Sequence, residues 1–510
     1  MDKATEQQNN KRIAKNTLLL YFRMLLTMCV SLYTSRVVLQ ALGVEDFGIY
    51  NVVGGVVSMF TILSGSLSAA ISRFLTFELG KKETDKLKRI FSSAVTIQLL
   101  LAAIVIVVAE IVGLWFLNNK MVIPVERLYA ANWVLQMSIL TFCINLISVP
   151  YNAAIIAHER MSAFAYVSVL EAFGKLGIAW AIVYSTWDKL ILYAILMSLI
   201  ALIIRLVYGR YCKVHFEECS YHFVFDKTLL KQMFGFAGWN FIGASSSILR
   251  DHGGNILINL FYGPAVNAAR GVAMQVNAAV QSFVSNFMTA LNPQITKSYA
   301  QDNRSYMMSL IFKGARLSFY ILLILDLPIL LNTKFLLNLW LHNVPNYAVI
   351  FVQLILIFTI LESISLPLIT AMLATGNIRN YQIIVGGLQI MNFPASYIFL
   401  ELGYSPICVY IIAIIISQLC LYARLILLRK MIGLPAKQFL KNVYFNVIAV
   451  SVIASIIPTF IAFKLDVSLT SFIAVSAISV LCCVCTELFV GCTKDERNFL
   501  FEKIKEKVKR

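Results

Sequence analysis

Long apolar stretches alternate with short polar ones along the whole chain, and most are about as long as the ~20 residues a helix needs to cross a hydrocarbon core. They divide into fourteen helices near residues 16–40, 46–74, 90–118, 128–156, 162–185, 189–210, 232–262, 264–291, 308–331, 346–373, 378–400, 405–428, 442–463 and 467–491. The pattern predicts an all-α polytopic membrane protein. Composition agrees: 59% of the 510 residues are apolar and 14% are charged, against about 25% charged in soluble domains. The formal charge of +17 would suit nucleic acid in a soluble chain, but here its position matters. The basic residues gather at the two termini and the alternate loops, and only Lys120, Arg127, Lys189, Lys334 and Lys464 occupy the other loops. Basic loops stay in the cytoplasm, so both termini are placed there, as an even number of spans requires, and no nucleic-acid partner is implied. Residues Lys3 to Lys15 precede an apolar run too long for a signal-peptide core and without a small-residue cleavage site, so that run is read as the first span.

The chain also resembles itself. At an offset of 217, Ile147-Ser-Val-Pro150-Tyr-Asn-Ala-Ala154-Ile-Ile-Ala157 aligns with Ile364-Ser-Leu-Pro367-Leu-Ile-Thr-Ala371-Met-Leu-Ala374, and at 220 the stretch Gly43 to Arg73 falls on Gly263 to Pro293. Spans one to six are thus repeated by seven to twelve. An even-numbered repeat keeps its orientation, so two six-helix lobes related by a pseudo-twofold axis along the membrane normal are expected, with a cleft that opens alternately to each side. The division is an N-terminus at 1–15, an N-lobe at 16–210, a linker at 211–231, a C-lobe at 232–430, two further helices at 431–491 and a basic tail at 492–510. In that tail Leu500, Phe501, Ile504 and Val508 form one stripe among Lys and Glu, which suits a helix on the inner leaflet or a solvated tail.

Ionisable residues inside spans cost roughly 2.5 to 3.5 kcal/mol each, so they face a cavity or a partner. The first lobe carries Arg23, Arg36, Arg73 and Lys175 against Glu110 and Glu171, and the second carries Arg250 and Arg270 against Asp251, Asp326 and Glu362. One wall of the cleft should be basic and the other more acidic. Arginine keeps its charge and offers a planar fork of donors that suits phosphate or pyrophosphate; Arg23, Arg36, Arg73, Arg250 and Arg270 are therefore the substrate-binding candidates. Arg23, Arg36 and Arg73 can alternatively snorkel to headgroups. Glu171 and Lys175 have the spacing of a self-neutralised helical pair. Asp251, Asp326 and Glu362 have no partner three or four residues on, which makes them candidates for coupling to Na⁺ or H⁺. Pro150 and Pro367 are candidate hinges. No catalytic motif is present: His158, His215, His222, His252 and His342 have no metal spacing, there is no phosphate-binding GxxxxGK[ST], and the Cys482-Cys483-x-Cys485 cluster lacks a second ligand set. No enzyme, metal or bound cofactor is expected.

Leu42-Gly43-Val-Glu-Asp-Phe47-Gly48-Ile-Tyr50, Phe236-Ala-Gly238-Trp239, Asp251 through Phe261-Tyr-Gly263-Pro-Ala-Val, Pro293, and Ser148-Val-Pro150 followed by His158-Glu-Arg160 resemble the multidrug/oligosaccharidyl-lipid/polysaccharide exporter superfamily. Within it the chain is similar to the bacterial flippases for lipid-linked sugar units. The resemblance implies fourteen helices, alternating access and a multi-pass inner-membrane location. It also implies an undecaprenyl-diphosphate-linked oligosaccharide as substrate, for O-antigen, capsule or exopolysaccharide synthesis. Membrane lipids, glycosyltransferases and a glycan polymerase are the implied partners of a monomer. The drug exporters carry an acidic residue on the first span; here that span holds Arg23 and Arg36. The departure argues against a drug exporter and leaves the coupling ion open. A lipid-linked peptidoglycan precursor is an alternative cargo. A glycan polymerase or ligase would need a larger outer loop and no duplication.

Overall fold

A backbone in hydrocarbon has no water to bond, so each crossing segment must satisfy its own N–H and C=O groups, which a helix does. The computed structural model describes residues 3–58, 61–119, 123–222, 226–341, 344–466, 468–493 and 496–498, and all regular structure among them is helical. In chain order the α-helices are α1 (Lys3–Ser58), α2 (Thr61–Lys81), α3 (Thr84–Val108), α4 (Leu114–Asn119), α5 (Leu128–Ala157), α6 (Met161–Tyr184) and α7 (Lys189–His215). They continue as α8 (Lys227–Ala300), α9 (Arg304–Leu341), α10 (Ala348–Ser363), α11 (Leu366–Thr375), α12 (Arg379–Tyr381), α13 (Gly387–Ile390), α14 (Asn392–Glu401), α15 (Cys408–Ile432), α16 (Ala436–Phe439), α17 (Phe445–Lys464) and α18 (Leu469–Thr486). The proposed tail helix, with Leu500, Phe501, Ile504 and Val508, lies outside the described residues, as do Lys120 and His342.

Ten helical stretches are long and apolar enough to cross a membrane, or eleven when α10 and α11, bent by 43°, count as one. The stretches 44–81, 227–262 and 264–300 are not among them, although they are helical in their described parts; residues 59 and 60 lie outside the described residues, 227–262 carries Arg250, Asp251 and His252, and 264–300 is rich in Asn, Gln and Ser.

Two long helices are broken at glycines that the sequence alignment pairs. Gly43 interrupts α1 at φ 80, ψ 170, and Gly263 interrupts α8 at φ 75, ψ −178. This is a backbone region essentially reserved for glycine, where a side chain costs about 1–3 kcal/mol. We expect Gly43→Ala and Gly263→Ala each to lower the melting temperature in detergent by several degrees, while alanine at the helical Gly48 changes it little; equal effects at all three positions would contradict the strain argument.

The chain forms two units, residues 1–241 with 296–303, and residues 242–295 with 304–510. The first unit packs Val38, Val53, Leu117, Ala131, Val134, Ala179, Ile182 and Leu190 into its core. On the side of the basic loops, the buried Glu159 carboxylate holds Arg12 and Lys297, each at 2.7 Å, which ties the last turns of α8 into this unit. Lys175 reaches Glu171 at 2.6 Å, the self-neutralised pair that their spacing predicted.

On the opposite side of the first unit, Arg127 donates to Asp46 from Nε at 2.8 Å and to Asp188 from Nη1 at 2.6 Å, joining α1 just after its Gly43 break to the segments that lead into α5 and α7. Asp188 also caps α7 by accepting from the amides of Leu190 and Ile191 at 3.0 and 3.1 Å. Burial alone would raise the Asp188 pKa, but the Ile191 amide and the Arg127 guanidinium outweigh it and hold the carboxyl below its ordinary value. A depressed carboxylate contributes stability above its unfolded pKa and loses it as pH falls through the folded value. The melting-temperature gap between the wild type and Arg127→Ala should therefore be full at pH 7 and shrink as pH falls below about 4. A gap as large at pH 3 as at pH 7 would contradict this linkage.

In the second unit α17 and α18 lie against α9. The Cys483 thiol meets the Leu323 carbonyl at 3.9 Å, and the buried Arg316 donates to the Gly491 carbonyl at 3.0 Å and to Glu496 at 2.7 Å. The final two helices are thus bound to the ninth by polar contacts as well as apolar packing.

Candidate functional site

Charges at membrane depth are stable only when something answers them, so each candidate can be followed to its partner. In the first unit, Arg23 donates from Nη1 to Ser168 at 3.4 Å and lies 4.8 Å from the Phe164 ring. Arg73 is enclosed by the rings of Phe77, Phe74 and Phe236 at 4.5, 4.8 and 5.9 Å, contacts that suit a guanidinium. Arg36 is exposed on α1.

The second unit brings most of its candidates together. Arg250 and Asp251 are consecutive on α8 and pair through Nε and Oδ1 at 2.9 Å, with the guanidinium 4.9 Å from the Phe358 ring. Arg270 lies beyond the Gly263 break and reaches back across it. Its Nε donates to Asn255 Oδ1 at 2.7 Å, and its Nη2 to the Asp251 carbonyl at 3.0 Å. Gly254 makes room for this: a Cβ there would stand 2.7 Å from Arg270 Nη2.

Glu362 ends the straight part of the broken α10–α11 pair, with Pro367 in the first turn of α11 after the bend. Pro150, the other hinge candidate, is buried inside the uninterrupted α5. Ser417 donates to Glu362 Oε2, and Arg424 Nη2 meets Glu362 Oε1 at 3.2 Å. Arg424 is 1% exposed and is fully engaged, donating also to the Tyr381 hydroxyl and to Ser365 Oγ at 2.9 Å each.

Arg250, Asp251, Glu362 and Arg424 line one cavity of ≈ 350 Å³, with Asn277, Gln281, Thr359 and Gln389 among its other walls. That volume is in the range of small-molecule sites. Arg250 and Asp251 also line an adjoining space of ≈ 30 Å³ together with Arg270, room for about one water. Around these two adjoining spaces three arginines stand against two carboxylates; with Asp326, which lines neither, the candidate charges of the second unit balance. The charge balance drawn from the sequence leaves Arg424 out. It lies eight residues before Ile432, the last residue of α15, or about 12 Å deep at 1.5 Å per residue. That depth is the signal that identifies it.

Oxygen donors in this cavity suit a hard monovalent cation in kind, but both carboxylates already hold an arginine. A cation can take Asp251 or Glu362 only when the arginine lets go. Asp326 is elsewhere on α9. It is 0% exposed, its two carboxylate oxygens have no hydrogen-bond partner among the described residues, and it lines neither of these cavities.

Broken helices and buried arginines beside a polar cavity are features suited to moving a polar solute, and comparison with solved structures gives the fold. A multidrug resistance MATE-family transporter of the MOP superfamily in its outward-facing conformation superposes with TM-score 0.71 at 13% identity, over 83% of this chain and 96% of that one. A MATE transporter in a bent conformation gives 0.73 at 13% identity, over 84% and 97%. A MOP-superfamily transporter from Pyrococcus furiosus, described as having a binding pocket of reverse polarity, gives 0.67 at 14% identity, over 82% and 96%. The fold is MATE-like. Residues 13–299 match the model of a family described as polysaccharide biosynthesis protein, and the chain belongs to that family. No curated protein sequence matches it.

Proposed function

We propose that the protein is a flippase carrying undecaprenyl-diphosphate-linked oligosaccharides from the inner to the outer leaflet of the inner membrane, for surface polysaccharide synthesis. The observation that carries this reading is the cavity of the second unit, where Arg250 and Arg424 are balanced by internal carboxylates, together with Arg270 in the small space beside it, which bonds only neutral partners. The unbalanced Arg270 charge has the sign that a diphosphate requires and that an organic cation does not. Membership of a polysaccharide biosynthesis family supports the same cargo.

In this reading the spans number fourteen, in two six-helix lobes with two helices added, and both termini are cytoplasmic. Arg23, Arg36 and Arg73 of the first unit join Arg250 and Arg270 in drawing the anion in. Asp251 and Glu362 act as internal counter-ions while the cavity is empty. A diphosphate that recruits Arg250 and Arg424 frees them to take up Na⁺ or H⁺, so anion and cation binding become linked; Asp326 is a third candidate for the proton. Pro150 and Pro367 serve as hinges. Glycosyltransferases supply the cargo and a glycan polymerase consumes it.

In spheroplasts lacking the protein, the lipid-linked oligosaccharide should be inaccessible to an added impermeant lectin, and restoring the gene should expose it. Equal labelling with and without the protein would contradict the proposal.

A further inference from the structure

The first unit has a separate open cleft of ≈ 410 Å³ in which no charged residue takes part. It lies between the second part of α1, the middle of α5 and the start of α7, in the half of the unit away from the basic loops. Ser138, Thr141 and Asn145 stand on one face of α5, at helical intervals of three and four, and all three line it. Each is at least partly exposed, and none makes a side-chain hydrogen bond among the described residues. Opposite them are Asn51, whose amide nitrogen donates to the Phe47 carbonyl at 2.8 Å and whose oxygen accepts nothing among the described residues, and Tyr50, whose ring meets Tyr193 at a centroid distance of 4.8 Å. Gly54 faces Ser138: a Cβ there would lie 3.9 Å from Ser138 Oγ, an ordinary contact.

Unpaired hydroxyls and amides at membrane depth are costly unless they meet water or a ligand. Side-chain amides and hydroxyls offer both donors and acceptors, beside aromatic faces such as Tyr50 and Phe142. A neutral polyol uses all of these. An organic cation would lack its acid here, and a phosphate its base.

We infer that this cavity is a binding site for uncharged sugar rings, a glycan seat distinct from the anion seat of the second unit. The inference rests on the proposed cargo, and the two can fail separately.

The test is equilibrium binding to the purified full chain in nanodiscs. The probes are the neutral oligosaccharides released by mild acid from the host's lipid-linked pool, inorganic pyrophosphate, and tetraphenylphosphonium. We expect the released glycan to bind, Thr141→Val and Asn145→Ala each to weaken it at least tenfold, and pyrophosphate binding to be unaffected by either. Both positions are partly open, and Thr141→Val removes only the hydroxyl at nearly constant volume, so loss of fold is separated from loss of contact; melting curves check this. Gly54→Met, which fills the cavity, should also abolish glycan binding. Absence of glycan binding, or glycan binding indifferent to all three variants, overturns the glycan seat even if pyrophosphate binds. Tetraphenylphosphonium binding that depends on Thr141 and Asn145, without glycan binding, assigns the cavity to apolar cations and overturns it too. Glycan binding without pyrophosphate binding leaves this inference standing and counts against the diphosphate cargo.

Discussion

Replacing Arg424 by alanine is expected to abolish transport and to destabilise the second unit. The substitution leaves the Glu362 carboxylate with Ser417 as its remaining partner, and it strands the Tyr381 and Ser365 hydroxyls that Arg424 now bonds. Removing one member of a buried pair costs about 3–5 kcal/mol, chiefly because the other charge stays behind. A second substitution separates the two effects: Arg424→Ala combined with Glu362→Gln removes the stranded charge and should recover most of the melting temperature without recovering transport. If Arg424→Ala melts like the wild type, the buried network is not what holds α10, α11 and α15 together. If the double variant transports normally, the arginine has no part in substrate handling.

Arg250→Ala and Arg270→Ala should each reduce export of the glycan by at least ~100-fold, about 2.7 kcal/mol of lost transition-state stabilisation, while leaving folded protein in the membrane. Arg250→Ala leaves behind an Asp251 carboxylate whose side chain is 40% exposed, against 18% for Arg250, so water reaches the remaining charge and the cost stays below that of breaking a fully buried pair. Arg270 bonds the neutral Asn255 side chain and a backbone carbonyl, so its removal strands no opposite charge. Arg250→Lys keeps the charge without the planar fork and should fall between the wild type and Arg250→Ala. Unchanged export in both alanine variants would remove these two residues from the site.

The apolar runs marked out the helices because hydrocarbon demands length and allows little charge, and Gly43 and Gly263 were visible as matched turns before their backbone was known. The Glu171–Lys175 pair was also legible, since four residues on a helix is a local distance. Glu362 was not, because its arginine comes from another helix 62 residues later, beyond any rule of local spacing. Arg424 was not singled out either, because its partners Glu362, Ser365 and Tyr381 lie on other helices. The neutral cavity was the least legible. Ser138, Thr141 and Asn145 are residue types that ordinarily bond their own helix or a neighbour, and only the three-dimensional arrangement leaves them unpaired.

The most direct measurement of the central claim is transbilayer movement of a fluorescent undecaprenyl-diphosphate oligosaccharide in proteoliposomes holding the purified protein. A cationic dye serves as control cargo, with Na⁺ and pH gradients applied in turn. We expect protein-dependent movement of the lipid-linked sugar, loss of that movement in Arg250→Ala, and a response to one of the two gradients. Movement of the dye with no movement of the lipid-linked sugar would contradict the account and assign the arginines to structure.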